Sequence, residues 1–162
     1  MKHLLAALFL ILGSTLALAD PPTGFPEIPW GAAQKDAQKA MAARTDVQPG
    51  EAKPDQLNYK GGTFNGQAVK EWILDFSAGK FHTAKVVFET RNKKVYDELL
   101  PGLIAKYGKP KKSGGQNTYQ TLWEWHSDGH KSISLDSQYS SYGAIVSVTY
   151  SIESLKKPAG GF

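Results

Sequence analysis

The chain has 162 residues, of which 41% are hydrophobic and 21% are charged, and its formal net charge is +4. An aromatic content of 11% argues against intrinsic disorder, and a chain of this length can bury the core of one domain. Because the chain contains no cysteine, it cannot be a disulfide scaffold, a thiolate zinc protein, a cysteine-dependent enzyme or a lipoprotein anchored at a cysteine.

The first nineteen residues have the composition of an export signal. Lys2 gives a positive start, residues 4–12 are all apolar, and Ala17-Leu18-Ala19 matches an Ala-x-Ala cleavage site. The apolar run is shorter than the roughly 20 residues that a transmembrane helix needs. We therefore predict a signal peptide over residues 1–19, cleaved after Ala19, and a periplasmic or secreted mature chain with no transmembrane segment.

The mature chain is predicted to form one domain. Residues 20–24 are expected to be a linker, residues 25–155 a single α+β domain and residues 156–162 a flexible tail. Small and apolar residues at helical spacing predict a first helix over residues 32–44, and the prolines of residues 45–56 predict a loop.

The next segment has clear hairpin chemistry. Asn65-Gly66 is a strong signal for a two-residue turn, because both central residues of a type I′ turn need positive φ. Such a turn pairs Tyr59 with Trp72 and Leu57 with Leu74, which places four apolar side chains on one face. After a second turn at residues 77–79, alternating residues predict a third strand from residue 80 to residue 89.

A second helix is predicted from residue 93 to residue 107. Pro101 lies in its middle, and its ring clashes with the carbonyl group of Asp97, so a kink or break is expected there. Gly108 suits the left-handed position that ends a helix. The residues from 109 to 116 are basic and contain glycine, so they are predicted to form a loop.

Three further strands are predicted at residues 118–126, 130–137 and 143–152. A three-residue turn at residues 127–129 pairs Trp123 with Ile133 and places His126 opposite His130. The predicted order is therefore α-βββ-α-βββ, an α+β fold with two helices on one face of an antiparallel sheet. The repeated order leaves internal duplication of the chain as an open alternative.

Two short motifs carry a family resemblance. Phe25-x-x-Ile28-Pro29-Trp30-Gly31 precedes the first helix, and Lys106-Tyr107-Gly108-Lys109-Pro110 closes the second. The chain resembles small exported bacterial proteins of the BamE-like and β-lactamase-inhibitor-protein-like group over about residues 25–152. The resemblance implies helices packed on an antiparallel meander and a role in protein binding or envelope assembly. BamE itself is a lipoprotein, and the missing cysteine departs from that pattern.

One group of residues is a candidate metal site. In the predicted register, His126 and His130 form a cross-strand pair and Glu124 lies two residues away on the same face. Two imidazoles and a carboxylate can bind zinc or copper. The alternative interpretation is a polar hairpin tip that faces water.

Other chemistry has little support in the sequence. No Gly-x-Ser-x-Gly motif or phosphate-binding loop occurs, and His82 is expected to lie at the core edge on the face of Ala84, Val86 and Phe88. We predict no catalytic residues, no cofactor and no nucleic-acid binding.

Aromatic and basic side chains are the remaining candidates for contact with a partner. They are Trp125 (expected to be partly exposed near the hairpin tip), Tyr139, Tyr142, Lys109, Lys111 and Lys112. The sequence thus predicts a non-enzymatic exported module that binds an envelope protein or another envelope component. A metal-binding or small-ligand-binding domain that uses the His126/His130 hairpin is the alternative.

Overall fold

The computed structural model describes residue 25 and residues 27–90, 94–114, 120–127 and 131–156. The predicted signal peptide and linker, most of the predicted tail, two of the three residues of the turn predicted at 127–129, and His130 lie outside these ranges. The described part contains two α-helices, α1 (Gln34–Ala42) and α2 (Lys94–Tyr107), and a 3-10 turn at Glu153–Leu155. Its strands are β1 (Val47–Lys53), β2 (Gln56–Gly61), β3 (Thr63–Phe64), β4 (Gln67–Ala68), β5 (Glu71–Ser77), β6 (Lys80–Thr90), β7 (Lys111–Gly114), β8 (Gln120–Ser127), β9 (Lys131–Ser140) and β10 (Gly143–Ile152).

Eight of these strands form one antiparallel sheet, in the order β1-β2-β5-β6-β10-β9-β8-β7. The sheet consists of two four-stranded halves, and the strands that come last in the sequence of each half, β6 and β10, pair with each other at the centre. Each half is preceded by one helix, so the strand order is symmetric about the β6–β10 pair. The α+β class and the antiparallel sheet are confirmed, whereas the predicted order α-βββ-α-βββ is wrong.

The predicted order of elements is wrong because the segments that form the two edge strands, β1 and β7, were predicted to be loops. β1 contains Pro49 and Gly50, and β7 is short and basic. Proline is tolerated on an edge strand, where its missing N–H faces away from the ladder, and both edges carry a bulge that interrupts the register. Edge strands lack a strongly apolar face, so the apolar pattern of the sequence does not reveal them.

The first predicted hairpin is confirmed. Leu57 pairs with Leu74 and Tyr59 with Trp72. Asn65 and Gly66 have φ of 48° and 77°, as a type I′ turn requires. The hairpin is interrupted near Gly62, so β3 and β4 form a separate two-stranded ribbon at its tip.

The second predicted hairpin has the wrong register. Trp123 pairs with Leu135 and Trp125 with Ile133, so His126 lies opposite Ser132. The observed ladder differs from the predicted one by a shift of two residues. Such a shift leaves every side chain on the same face, so the apolar pattern alone does not distinguish the two registers.

Helix α2 continues through Pro101 without a break, contrary to expectation. Pro101 is exposed, and its ring lies on the side of the helix that faces away from the sheet. Water can therefore solvate backbone groups at this turn of the helix. Gly108, with φ of 81°, ends the helix as predicted.

Both helices pack on the same face of the sheet. Helix α1 buries Ala37 and Met41 and helix α2 buries Tyr96, Leu99 and Leu103, all in one cluster with the inward side chains of both half-sheets. The sheet contributes its largest fully buried side chains to this cluster: Trp72, Leu74, Phe81, Val86, Phe88, Ile133, Leu135, Val146 and Val148. In the described ranges, neither helix is long and apolar enough to cross a membrane.

Candidate functional site

No described helix covers the face of the sheet opposite α1 and α2. Its side chains alternate along each strand with the buried ones, so the fold dictates which residues it carries. The ladders align them in rows across the strands. One row contains Ile73, Lys85, Thr149, Ser134 and Glu124, and the next contains Asp75, Thr83, Ser151, Ser132 and His126.

Hydrogen bonds connect several of these polar side chains. Gln56 Nε2 donates to Asp75 Oδ1 at 2.7 Å, and the Oγ atoms of Ser132 and Ser151 are 2.8 Å apart. The centre of the face is therefore lined by short hydroxyl side chains, with longer charged side chains around it. This part of the face is therefore polar, and most of its side chains are partly exposed.

The structure brings together two of the three predicted metal ligands. Glu124 and His126 lie on the uncovered face, where Glu124 Oε2 is 3.5 Å from His126 Nε2 and the side chains are 30% and 57% exposed. The predicted cross-strand pairing of His126 with His130 is wrong, because His126 lies opposite Ser132. Among the described residues, no group of three or more His, Cys, Asp or Glu side chains is arranged to hold a metal ion.

His82 lies at a place that the alternation of the sequence did not indicate. β6 carries one extra residue between Phe81 and Thr83, so Phe81 takes the buried position and the prediction that His82 shares the Ala84 face is wrong. His82 lines an open depression of about 560 Å³ together with Gln56 and Asp75.

Burial dominates the electrostatics of this imidazole. Desolvation lowers the pKa of His82, although the nearby Asp75 carboxylate acts in the opposite direction. The Nδ1 atom lies 2.8 Å from Thr83 Oγ1. The ring is therefore neutral at neutral pH, and it forms a hydrogen bond with the hydroxyl group of Thr83.

Trp125 is part of the core rather than of an exposed surface. Only 6% of this residue is exposed, and its Nε1 donates to the carbonyl oxygen of Gly108 at 2.7 Å. The expectation of a partly exposed Trp125 is therefore wrong. Its position on the buried face follows from the same alternation that buries Ile133, its partner in the ladder.

Tyr139 and Tyr142, by contrast, lie together at one end of the sheet. Both line an open depression of about 620 Å³ around the turn between β9 and β10. Tyr142 is 97% exposed, and Ile145, which the sequence did not single out, is 49% exposed beside it. The alternation of β10 places Ile145 on the uncovered face and was the signal that could have found it.

Two of the three predicted basic side chains, those of Lys109 and Lys111, lie in the described part of the chain. Lys109 is exposed just beyond helix α2, and Lys111 is exposed on edge strand β7 opposite Glu124. Lys112 pairs with Trp123 in the ladder, and its side chain lies outside the description. Lys111 therefore has a carboxylate opposite it, and the structure gives no geometry that joins these lysines into one binding patch.

Comparisons with protein-family models, with curated proteins and with solved structures found no match to this chain. The resemblance to the BamE-like and β-lactamase-inhibitor-protein-like group therefore remains an expectation from the sequence.

Proposed function

We propose that this protein is an exported, non-enzymatic binding module whose uncovered sheet face binds a protein of the cell envelope. The observation that carries the proposal is the eight-stranded sheet with both described helices on one face. No described helix covers the other face, where most side chains are partly exposed and Thr83, Ser147 and Ser151 are buried. Interfaces between proteins that also exist separately are about as polar as the rest of a protein surface, so the polar character of this face is compatible with a protein partner.

The localisation is part of the same proposal. The apolar start of the chain and its Ala-x-Ala motif support export to the periplasm or the medium. A partner in the envelope is the kind of molecule that such a protein meets. The face extends across an eight-stranded sheet, and a surface of that extent favours a macromolecular partner over a small substrate.

The test compares two arginine substitutions. Ser134→Arg places a long charged side chain in the centre of the uncovered face, between Thr149 and Glu124. Ala105→Arg adds the same side chain to an exposed position of helix α2 and serves as the matched control. Each immobilised variant is incubated with an envelope extract, and the retained protein is identified and then titrated in purified form.

The proposal predicts one defined partner that wild type and Ala105→Arg retain with equal affinity. Ser134→Arg is expected to weaken its binding at least about tenfold, because a long side chain in place of a serine keeps a close-packed partner away from the centre of the face. If no partner is retained, or if Ser134→Arg binds it as wild type does, the proposal is wrong. Thermal unfolding of both variants shows that the comparison concerns folded protein.

A metal-binding role for the hairpin is the second candidate, and the 3.5 Å contact between Glu124 and His126 is the observation that favours it. Calorimetric titration of the full chain with zinc tests this role. Binding tighter than about millimolar that is lost in His126→Ala supports the role, whereas weaker binding or an unaffected variant excludes it.

A further inference from the structure

The depression at the turn between β9 and β10 has properties that the uncovered sheet face does not share. It lies at the end of the sheet, and strands β6, β9 and β10 all contribute to its walls. Its volume of about 620 Å³ falls within the range of roughly 300–1,000 Å³ that is usual for small-molecule sites. A separate ligand can therefore be considered for it.

The most exposed aromatic ring of the described residues lies at this site on a constrained turn. Ser140 Oγ accepts a hydrogen bond from the Tyr142 backbone N–H at 3.2 Å and donates one to the Gly143 carbonyl oxygen, also at 3.2 Å. The same hydroxyl group thus holds both sides of the turn that presents Tyr142. An aromatic ring with 97% exposure on an ordered turn is a preformed platform for stacking.

The polar groups around this ring are hydrogen-bonding groups with little net charge. Glu89 is the only carboxylate among the described lining residues, and Lys70 Nζ neutralises it at 2.8 Å. Gln138 supplies an amide group, which both donates and accepts hydrogen bonds. The site therefore favours a neutral ligand that is rich in hydroxyl or amide groups over an anion or a cation.

From this combination we infer that the depression at Tyr142 is a binding site for a neutral oligosaccharide. A pyranose ring has one face of C–H groups, which can stack on the electron-rich face of a tyrosine ring. Its rim of hydroxyl groups both donates and accepts hydrogen bonds, which suits Gln138 and Glu89. Ile145, half exposed beside the ring, extends the apolar contact to a second sugar unit.

Saturation-transfer difference NMR on the full chain tests the inference with three probes: chitotriose, maltotriose and the anionic trigalacturonate. We expect at least one neutral trisaccharide to bind in the millimolar range or tighter, and more tightly than trigalacturonate. Tyr142→Ala is expected to reduce its affinity at least about tenfold and Gln138→Ala to reduce it less. Ile104→Ala removes an exposed apolar side chain from helix α2 and is expected to leave the affinity unchanged.

Three results would overturn the inference. They are the absence of binding to both neutral trisaccharides at 10 mM, an unchanged affinity of Tyr142→Ala, and a preference for the anionic probe. A Tyr142→Ala variant that loses the envelope protein instead of a sugar would make this turn part of a protein interface. Because Ser134 lies elsewhere on the face, failure of the Ser134→Arg test leaves the sugar experiment unaffected, and the two proposals can be judged separately.

Discussion

The indole N–H of Trp72 donates a hydrogen bond to the carbonyl oxygen of Gly61 at 2.8 Å. Trp72 is fully buried, and the Arg44 guanidinium lies over its ring at 4.6 Å from the centroid. Gly61 is the last residue of β2, where the main sheet ends and the β3–β4 ribbon begins. This hydrogen bond therefore links the end of β2, where the β3–β4 ribbon begins, to the buried centre of the first half-sheet.

Replacing this indole is expected to destabilise the fold strongly. Trp72→Phe leaves the Gly61 carbonyl group without its donor and opens a cavity, so we predict a loss of about 2 kcal/mol or more in the free energy of unfolding. Urea denaturation measures the loss. Trp123→Phe is the control: its N–H donates to the Tyr96 hydroxyl group, which can rotate to another partner, and a smaller loss is expected. Equal losses in the two variants would contradict the assigned role of Trp72.

Alanine substitutions at two glycines with nearly equal φ distinguish the cost of backbone strain from the cost of steric crowding. Gly62 and Gly79 have φ of 75° and 72°, so alanine carries the same left-handed penalty of about 1 kcal/mol at either position. A Cβ on Gly62 would lie 2.8 Å from Asp46 Oδ2 and 2.9 Å from Val47 Cγ1, whereas a Cβ on Gly79 meets nothing within 4 Å.

Gly62→Ala is therefore expected to cost about 1–3 kcal/mol more than Gly79→Ala. The clash disturbs a carboxylate that already accepts hydrogen bonds from Arg44 and from the Thr63 backbone. Chemical denaturation of both variants gives the difference directly. Equal losses of unfolding free energy in the two variants would show that the chain near Asp46 can move aside without a loss of stability.

Removing the proline from helix α2 is expected to stabilise the protein. Pro101 cannot donate to the carbonyl group of Asp97, and its surroundings are exposed, so alanine can enter without crowding. We predict a gain of about 1–3 kcal/mol for Pro101→Ala. Gly102→Ala, in open space on the same turn, is the comparison and is expected to gain about 1 kcal/mol. A loss of stability in Pro101→Ala would mean that the proline ring makes contacts that the helix needs.

Stability is expected to depend on pH through His82. Burial lowers the pKa of this imidazole below its ordinary value of 6.5, with Lys156 acting in the same direction and Asp75 and Glu153 acting against it. Between the folded and the unfolded pKa the unfolded chain binds more protons, so stability is full above pH 6.5 and falls as the pH drops below it. Thermal unfolding between pH 5.5 and pH 8 measures the change.

The variant His82→Gln isolates this contribution from that of the other histidines. It retains a polar side chain beside Thr83 but does not titrate in this range. The fall in the unfolding temperature between pH 8 and pH 5.5 is expected to be smaller in His82→Gln than in wild type. An identical fall in both proteins would show that His82 is as easily protonated in the fold as in the unfolded chain.

Local chemistry explains which parts of the fold were predictable. The Asn65-Gly66 turn determines its own backbone conformation and therefore the pairing of Tyr59 with Trp72. The second hairpin has no such anchor, because registers two residues apart bury the same side chains. The edge strands β1 and β7 carry little apolar pattern of their own and are defined by the neighbour that each one pairs with.

The candidate sites divide in the same way. Tyr142 could be identified because it lies in the loop between the strands predicted at residues 130–137 and 143–152, and its exposure agrees with that position. The contribution of Glu89 could not, because it reaches this turn only through the pairing of β6 with β10. Trp125 was wrongly predicted to be partly exposed, because the sequence does not show that the end of helix α2 covers this side chain.

The central pairing of β6 with β10 has a consequence for how the chain folds. Every other ladder of the sheet joins strands that lie close in sequence, whereas this ladder joins residues 83–90 to residues 144–151. Closing so long a loop costs entropy before any contact repays it. We therefore expect two meanders that form early and independently, and a slow step in which they dock. Until that step is complete, each half exposes the free edge of its last strand, and the time spent in that state determines how readily the nascent protein aggregates.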